Sequence, residues 1–325
     1  MVTKDAAADS NPDTLLGAIT YFSDVETAIG FVAALRWPDG VICPRCDSNA
    51  CYRLSTRALW KCRGCKKQFS VKVGSIFEDS PIGLDKWLPA MWMLVNCKNG
   101  VSSYEIARAL GVTQKSAWFM LHRLRLAIQT KSFEKIGGSV EVDETYIGGK
   151  ARNMHADKRK RLGMSQKASM VGKVAVMGLL ERKGKDGHST IRMEVIAGRK
   201  QRDLHVPIAR HVERGATVNT DAFTAYRGLE ADYIHNVIDH AEKYVDGQVH
   251  TNGCENFWSL LKRALKGTYV SVEPFHLFRY LDEQAYRFNS RKMSDGARFL
   301  EAAASVFGKR LTFAALTGKH LVETC

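Results

Sequence analysis

Three acidic residues and two cysteine pairs are the parts of this 325-residue sequence whose type and spacing could do chemistry. Asp143 sits in Val140-Glu-Val-Asp-Glu-Thr-Tyr146, Asp221 closes Ala216-Thr-Val-Asn-Thr-Asp221, and Glu255 falls in Asn252-Gly-Cys-Glu-Asn-Phe-Trp258. Carboxylates are hard oxygen ligands, and three of them together suit two Mg²⁺ ions, for which Mn²⁺ can substitute. Two such ions about 3.5–4 Å apart activate an attacking oxygen and stabilise a leaving one in phosphoryl chemistry. Cys43-Pro-Arg-Cys46 and Cys62-Arg-Gly-Cys65 are CxxC knuckles 15 residues apart, the spacing of a four-thiolate structural zinc site. So small a unit has little core of its own, so the metal would supply its folding energy. Cys51 fits neither knuckle and reads as a small packing residue.

The elements that must position the carboxylates follow from periodicity. Val140 and Val142 alternate with Glu141 and Asp143, a strand pattern. Residues 173–182 and 189–197 flank Gly184-Lys-Asp-Gly187 as two strands and a turn. A helix over 201–214, a strand over 216–220, a short helix, a strand over 233–238 and two long helices complete a mixed α/β unit. It would hold a five-stranded sheet flanked by helices. In the helix from Asn252, Glu255, Ser259, Lys262 and Lys266 fall on one face at 100° per residue. Phe257, Leu260, Leu261, Ala264 and Leu265 lie opposite and would bury. Lys262 would then point its ammonium at the phosphates the metals hold. Each acid has a plainer reading: Asn252 with Glu255 as a capping box, Asp221 as a helix cap, Asp143 as a solvated strand residue. Asn252 is the rival third ligand, and Glu255 is preferred because a charged ligand holds Mg²⁺ better than an amide. Glu144 points to the other face of its strand and is the weaker candidate.

The first half supplies a different chemistry. A helix over 23–36 stops at Trp37-Pro-Asp-Gly40. Ser102–Leu110, Gly111-Val-Thr113 and Gln114–Arg125 have the layout of a helix-turn-helix, with Ser103 capping the first helix and Thr113 opening the second. On that second helix Lys115, His122, Arg123 and Arg125 would meet bases and phosphates, while Trp118 and Leu121 face inward. The segment Lys150–Lys167 carries seven Lys/Arg against one Asp, and Lys158, Arg159, Lys160 and Arg161 within it would clamp DNA phosphates. A net charge of +14 and a pI near 9.4 favour a polyanionic partner, here double-stranded DNA. The polar N-terminus does not read as a signal peptide, and no apolar run approaches a membrane span. Clustered cysteines without an export signal place the chain in a reducing compartment, bacterial cytoplasm beside the nucleoid.

Several motifs together resemble the RNase H-like DDE transposases of bacterial insertion sequences in the Merlin-related group. They are Arg36-Trp-Pro-Asp-Gly40, Val142-Asp-Glu-Thr-Tyr-Ile-Gly-Gly149, Asn219-Thr-Asp221, His250-Thr-Asn-Gly-Cys-Glu-Asn-Phe-Trp258, Lys262-Arg263, Gly267-Thr-Tyr269 and Tyr280-Leu-Asp-Glu283 with Arg287-Phe-Asn289 and Arg291. The 33 residues between Asp221 and Glu255 fit the short second spacing of that superfamily. The resemblance implies an RNase H-like sheet, catalysis by Asp143, Asp221 and Glu255, binding to an element's terminal inverted repeats, and joining of the freed 3′ end to target DNA by a homo-oligomer. Glu283, Arg287, Asn289 and Arg291 would either grip DNA or form a structural ion-pair cluster. The expected division is a disordered tail at 1–20, helix plus zinc ribbon at 21–75, helix-turn-helix at 76–135, catalytic domain at 136–295 and a helical tail at 296–325. The alternatives are a zinc-ribbon/helix-turn-helix regulator with an inactive second half, and a structure-specific nuclease that does not join strands.

Overall fold

Alternation along residues 139–147 builds the sheet that carries the candidate acids. A computed structural model describes residues 11–129, 134–148, 156–161, 172–184, 187–238 and 250–318. The chain divides into two units: the described parts of Met1–Gln129 with Ser290–Cys325, and those of Thr130–Asn289.

The first unit opens with helices α1 (Leu15–Phe22) and α2 (Val25–Arg36), capped by the side chains of Thr14 and Asp24. The stretch from Leu15 is therefore helix, not tail: its cap is local, and Ala18 and Phe22 are fully buried. A three-stranded sheet follows, β1 (Cys51–Arg53), β2 (Trp60–Cys62) and β3 (Gln68–Phe69), all antiparallel. Helices α3 (Leu84–Asn96), α4 (Ser103–Leu110) and α5 (Gln114–Ala127) complete its N-terminal part. Ser102, not Ser103, caps α4, in a capping box with Glu105. The helix ends at Gly111, whose left-handed backbone (φ 60°) makes the turn into α5, and Thr113 caps α5 as expected.

The described residues 296–318 do not form a separate tail. Two later helices belong to the first unit, α10 (Asp295–Ala304) and α11 (Phe313–Thr317). Phe299 enters an aromatic cluster with Phe22, Phe31 and Trp92 at ring separations of 5.1–5.9 Å. Ile76 N–H bonds Val306 O, and Gly308 N–H bonds Gly74 O. An apolar ring of that size is worth roughly 2–3 kcal/mol when buried, enough to hold a short C-terminal helix in place.

The second unit is the mixed α/β sheet. In chain order it contains β4 (Ser139–Ile147), α6 (Ala156–Arg161), β5 (Val174–Arg182), β6 (Thr190–Ile196), α7 (Gln201–His211), β7 (Thr217–Asp221), β8 (Ile234–Ile238), α8 (Asn252–Ala264) and α9 (Leu277–Asn289). Strand order is β6-β5-β4-β7-β8, with β4–β6 antiparallel and β4, β7 and β8 parallel. This is the five-stranded, helix-flanked sheet that the strand and helix spacing predicts. One face packs on α7 through Val140, Val142, Val218, Leu204 and Ile208. The other packs on α8 and α9 through Val176, Leu180, Phe257, Trp258, Leu261 and Leu281. Since side chains alternate along a strand, Val140 and Val142 on the α7 face put Glu141 and Asp143 on the α8 face.

Candidate active site and zinc centre

The four cysteines of the knuckles come together. Sγ of Cys43 lies 3.7 Å from that of Cys65, Cys46 lies 3.6 Å from Cys62, and all four sulfurs are within 4.8 Å of one another. Four sulfurs each about 2.3 Å from a zinc ion form a tetrahedron with edges of about 3.8 Å, so the cluster fits a structural zinc ion. Trp37 packs edge-on against Trp60 and Phe69, and Arg36 donates to Val71 O (2.8 Å) and Val73 O. The Arg36-Trp37 motif thus ties α2 to the ribbon. Cys51 is only half-buried and donates to Ser48 O.

The three acids arrive from three elements. Asp143 lies in the middle of β4 opposite Gly178, Asp221 ends β7, and Glu255 occupies the first turn of α8. Asp143 is held on both oxygens: Trp258 Nε1 donates to Oδ2 at 2.8 Å and the Glu144 N–H to Oδ1 at 2.8 Å. Burial pushes its carboxyl above the usual range, and the charges of Asp221 and Glu255 push it the same way. Among the described residues, only the cysteine cluster brings three or more ligand atoms within 4.8 Å; the acids stand further apart than that. Asp221 Oδ1 also accepts from Phe223 N–H at 3.1 Å, opening a short 3₁₀ turn. The cap residue of α8 is Thr251, whose side chain makes no capping bond. Glu255, Ser259, Lys262 and Lys266 line one exposed side of this helix, while Phe257, Leu261, Ala264 and Leu265 are buried opposite.

Glu144 belongs to the opposite face. It is bonded by Tyr226 Oη and by Arg199 at 3.0 Å, and burial is the main cause raising its carboxyl. The Arg199 guanidinium also covers the Phe223 ring at 3.9 Å. Trp258, Glu141, Arg199 and Tyr226 are the neighbours that sequence reasoning missed. Glu141 carried a signal all the same: it is an acid two positions from Asp143, on the same face of the strand.

Residues 23–68 match the transposase zinc-ribbon domain, and residues 135–289 match the ISXO2-like transposase domain. The chain thus carries both domains of these insertion-sequence transposases. The two matches together cover more than half of it and bracket both centres. A protein of the transposable element ISH50 from Halobacterium salinarum, itself described as uncharacterized, is 27% identical over 258 residues, covering 76% of this chain and 85% of that one.

In this transposase three of the four residues expected to read DNA from the second helix of the helix-turn-helix are turned inward. His122 (0% exposed), Arg123 (5%) and Arg125 (1%) are buried, so none can reach a base or a phosphate from this position. Arg123 instead donates to Leu311 O (3.0 Å), Ile76 O (2.9 Å) and Glu78 O (2.7 Å), fastening α5 to the C-terminal segment. His122 stacks edge-on against Trp118 at 4.4 Å. An arginine's polar head satisfies backbone carbonyls as readily as phosphates, and sequence alone does not separate the two. Lys115, at the start of α5, is exposed, as are Tyr104 and Arg108 on α4. In the basic segment, Lys160 is exposed on α6, and the side chains of Lys158, Arg159 and Arg161 lie outside those described. Glu283 and Arg287 form a buried ion pair in α9 that Tyr269 joins, and Asn289 binds both backbone groups of Ile191, which settles them as structural. No single described helix is long and apolar enough to cross a membrane.

Proposed function

We propose that this transposase binds the terminal inverted repeats of its element, hydrolyses a phosphodiester there with two Mg²⁺ ions, and directs the freed 3′-hydroxyl at target DNA. The reading rests most on one observation: Asp221 and Glu255, on a strand end and a helix, both push the half-buried Asp143 carboxyl upward. Three acids that raise one another across a gap suit divalent cations better than they suit acid–base work. Asp143, Asp221 and Glu255 would hold the ions, which supply activation of the attacking oxygen and stabilisation of the leaving one.

The chain's own residues have separate tasks. The indole of Trp258 and the N–H of Glu144 each take one lone pair of Asp143, so that carboxylate can offer its remaining lone pairs in only one orientation. Lys262, exposed two turns after Glu255 on the same side of α8, meets a DNA phosphate as a point charge. Lys115 and the exposed residues of α4 contribute contacts to the element's ends, and Lys160 to flanking phosphates. Double-stranded DNA, as element end and as target, is thus the partner, engaged by more than one copy of the chain because two ends must be handled.

The test is a labelled terminal-repeat duplex with purified protein and Mg²⁺. Asp221→Asn and Glu255→Gln should each lose cleavage and strand joining, by a thousandfold or more, with end binding unchanged. Active cleavage by Glu255→Gln beside a dead Asn252→Ala would transfer the third ligand to Asn252. Cleavage without joined products in the wild type would leave a nuclease.

A further inference from the structure

Two residues before Asp143, on the same face of β4, Glu141 is 1% exposed. An ionised carboxylate there is costly unless it is fully partnered. Its partners are Arg182 Nε at 2.6 Å and the backbone N–H of Cys254 at 3.0 Å, and the same guanidinium donates through Nη2 to His250 Nδ1 at 2.8 Å. The bond from Cys254 ties it to the first turn of α8. That helix lacks a side-chain cap of its own, since Thr251 makes none. A strand carboxylate therefore takes the position a capping side chain would occupy, where free N–H groups and the helix dipole favour negative charge.

The surrounding sequence is shaped for this contact. A Cβ at Gly253 would stand 2.8 Å from Glu141 Oε2 and 3.0 Å from Oε1, so only glycine lets the carboxylate come this close. Cys254 is fully buried, its thiol against Glu141 O. One turn on, Trp258 makes the second tie to β4 through Asp143, its ring resting where a Cβ on Gly178 would be 2.6 Å away. Glu255 lies between the two ties.

We propose that Glu141 is a positioning residue that sets the separation of Glu255 from Asp143, and through it the affinity of the site for its metal ions. The inference rests on the two-metal reading above. A carboxylate pair displaced by about 1 Å loses ligand geometry, an effect of a hundredfold in comparable sites, and partners behind a ligand are worth 10–100-fold in metal affinity or activity.

The experiment uses the full chain on terminal-repeat DNA with Mn²⁺ as the probe. Bound Mn²⁺ is counted by electron paramagnetic resonance, beside cleavage rate, DNA binding and thermal unfolding. Glu141→Gln keeps the size but offers an amide where Arg182 requires an anion. Its half-saturating Mn²⁺ concentration should rise at least tenfold, with DNA binding unchanged. Gly253→Ala pushes on the same contact from the helix and touches no acid, so it should shift Mn²⁺ binding in the same direction and decides the matter if Glu141→Gln does not fold. Wild-type Mn²⁺ binding in a folded variant of either kind, while Asp221→Asn loses it, overturns the role of Glu141 alone. Wild-type Mn²⁺ binding and cleavage in Asp221→Asn overturns the two-metal reading itself.

Discussion

The zinc ribbon and the carboxylate site are both built to hold divalent metal, and they are built oppositely. In the ribbon four sulfurs from two turns already lie at the edge lengths of a tetrahedron. In the sheet unit three acids from three elements press on one another and stay further apart. A protonated thiol carries no charge, so thiols can be gathered by local turns alone. Carboxylates at neutral pH repel, and gathering them takes rigid elements, here β4 and β7 joined in one sheet and α8 tied across it. The closed set of four ligands is suited to building structure. Acids that leave room between them are suited to ions that keep positions for water and phosphate.

The contrast is sharpest in what metal does for folding. Cys62→Ser, or strong chelation of zinc, should unfold the ribbon and release about one equivalent of zinc, because a structural site contributes on the order of 10 kcal/mol. Elemental analysis and thermal unfolding read both. Mg²⁺ at ten times its dissociation constant should add only about 1.4 kcal/mol for each bound ion. A rise in melting temperature on adding Mg²⁺ that rivals the zinc effect would break the comparison.

Next in size is Arg123→Ala, which removes three buried bonds to carbonyls and should cost about 3 kcal/mol of stability. Its salt dependence of DNA binding, measured on folded protein, should match the wild type; a shallower slope would return Arg123 to the DNA surface. Trp258→Phe deletes the donor to Asp143 together with the Cζ2–Cη2 edge that lies against Gly178. It should cost about 1 kcal/mol and slow cleavage roughly tenfold, with zinc content unaltered. The smallest effect is expected of Lys115→Ala: weaker end binding and a salt slope reduced by about one, with cleavage of bound ends intact.

Much of this was legible in the sequence, for physical reasons that differ by region. The knuckles were readable because zinc ligands recur at fixed local spacing. Strands β4 and β7 were readable because period-two alternation is local too, and the buried side of α8 followed from Phe257, Leu261 and Ala264 at helical spacing. What stayed hidden depends on contacts far apart in the chain. Arg123 looked like a DNA contact because its carbonyl acceptor at Leu311 lies 188 residues away. Trp258 is 115 residues from Asp143, and Cys254 is 113 from Glu141. Residues 15–20 looked like tail because the ring their helix packs on, Phe299, comes near the other end.

That last arrangement bears on how the protein is made. The first unit is interrupted: the 160 residues of Thr130–Asn289 are synthesised between its two parts. At about 5–20 residues per second the ribosome needs roughly 10–30 s to cross that interval. During it α1–α5 lack Phe299 and the Leu311 carbonyl, while the sheet unit emerges whole and can fold first. A chain broken off anywhere within the sheet would carry the zinc ribbon and the helix-turn-helix sequence without the segment that closes them. The finished helical unit therefore arrives only on polypeptides that already contain the complete sheet.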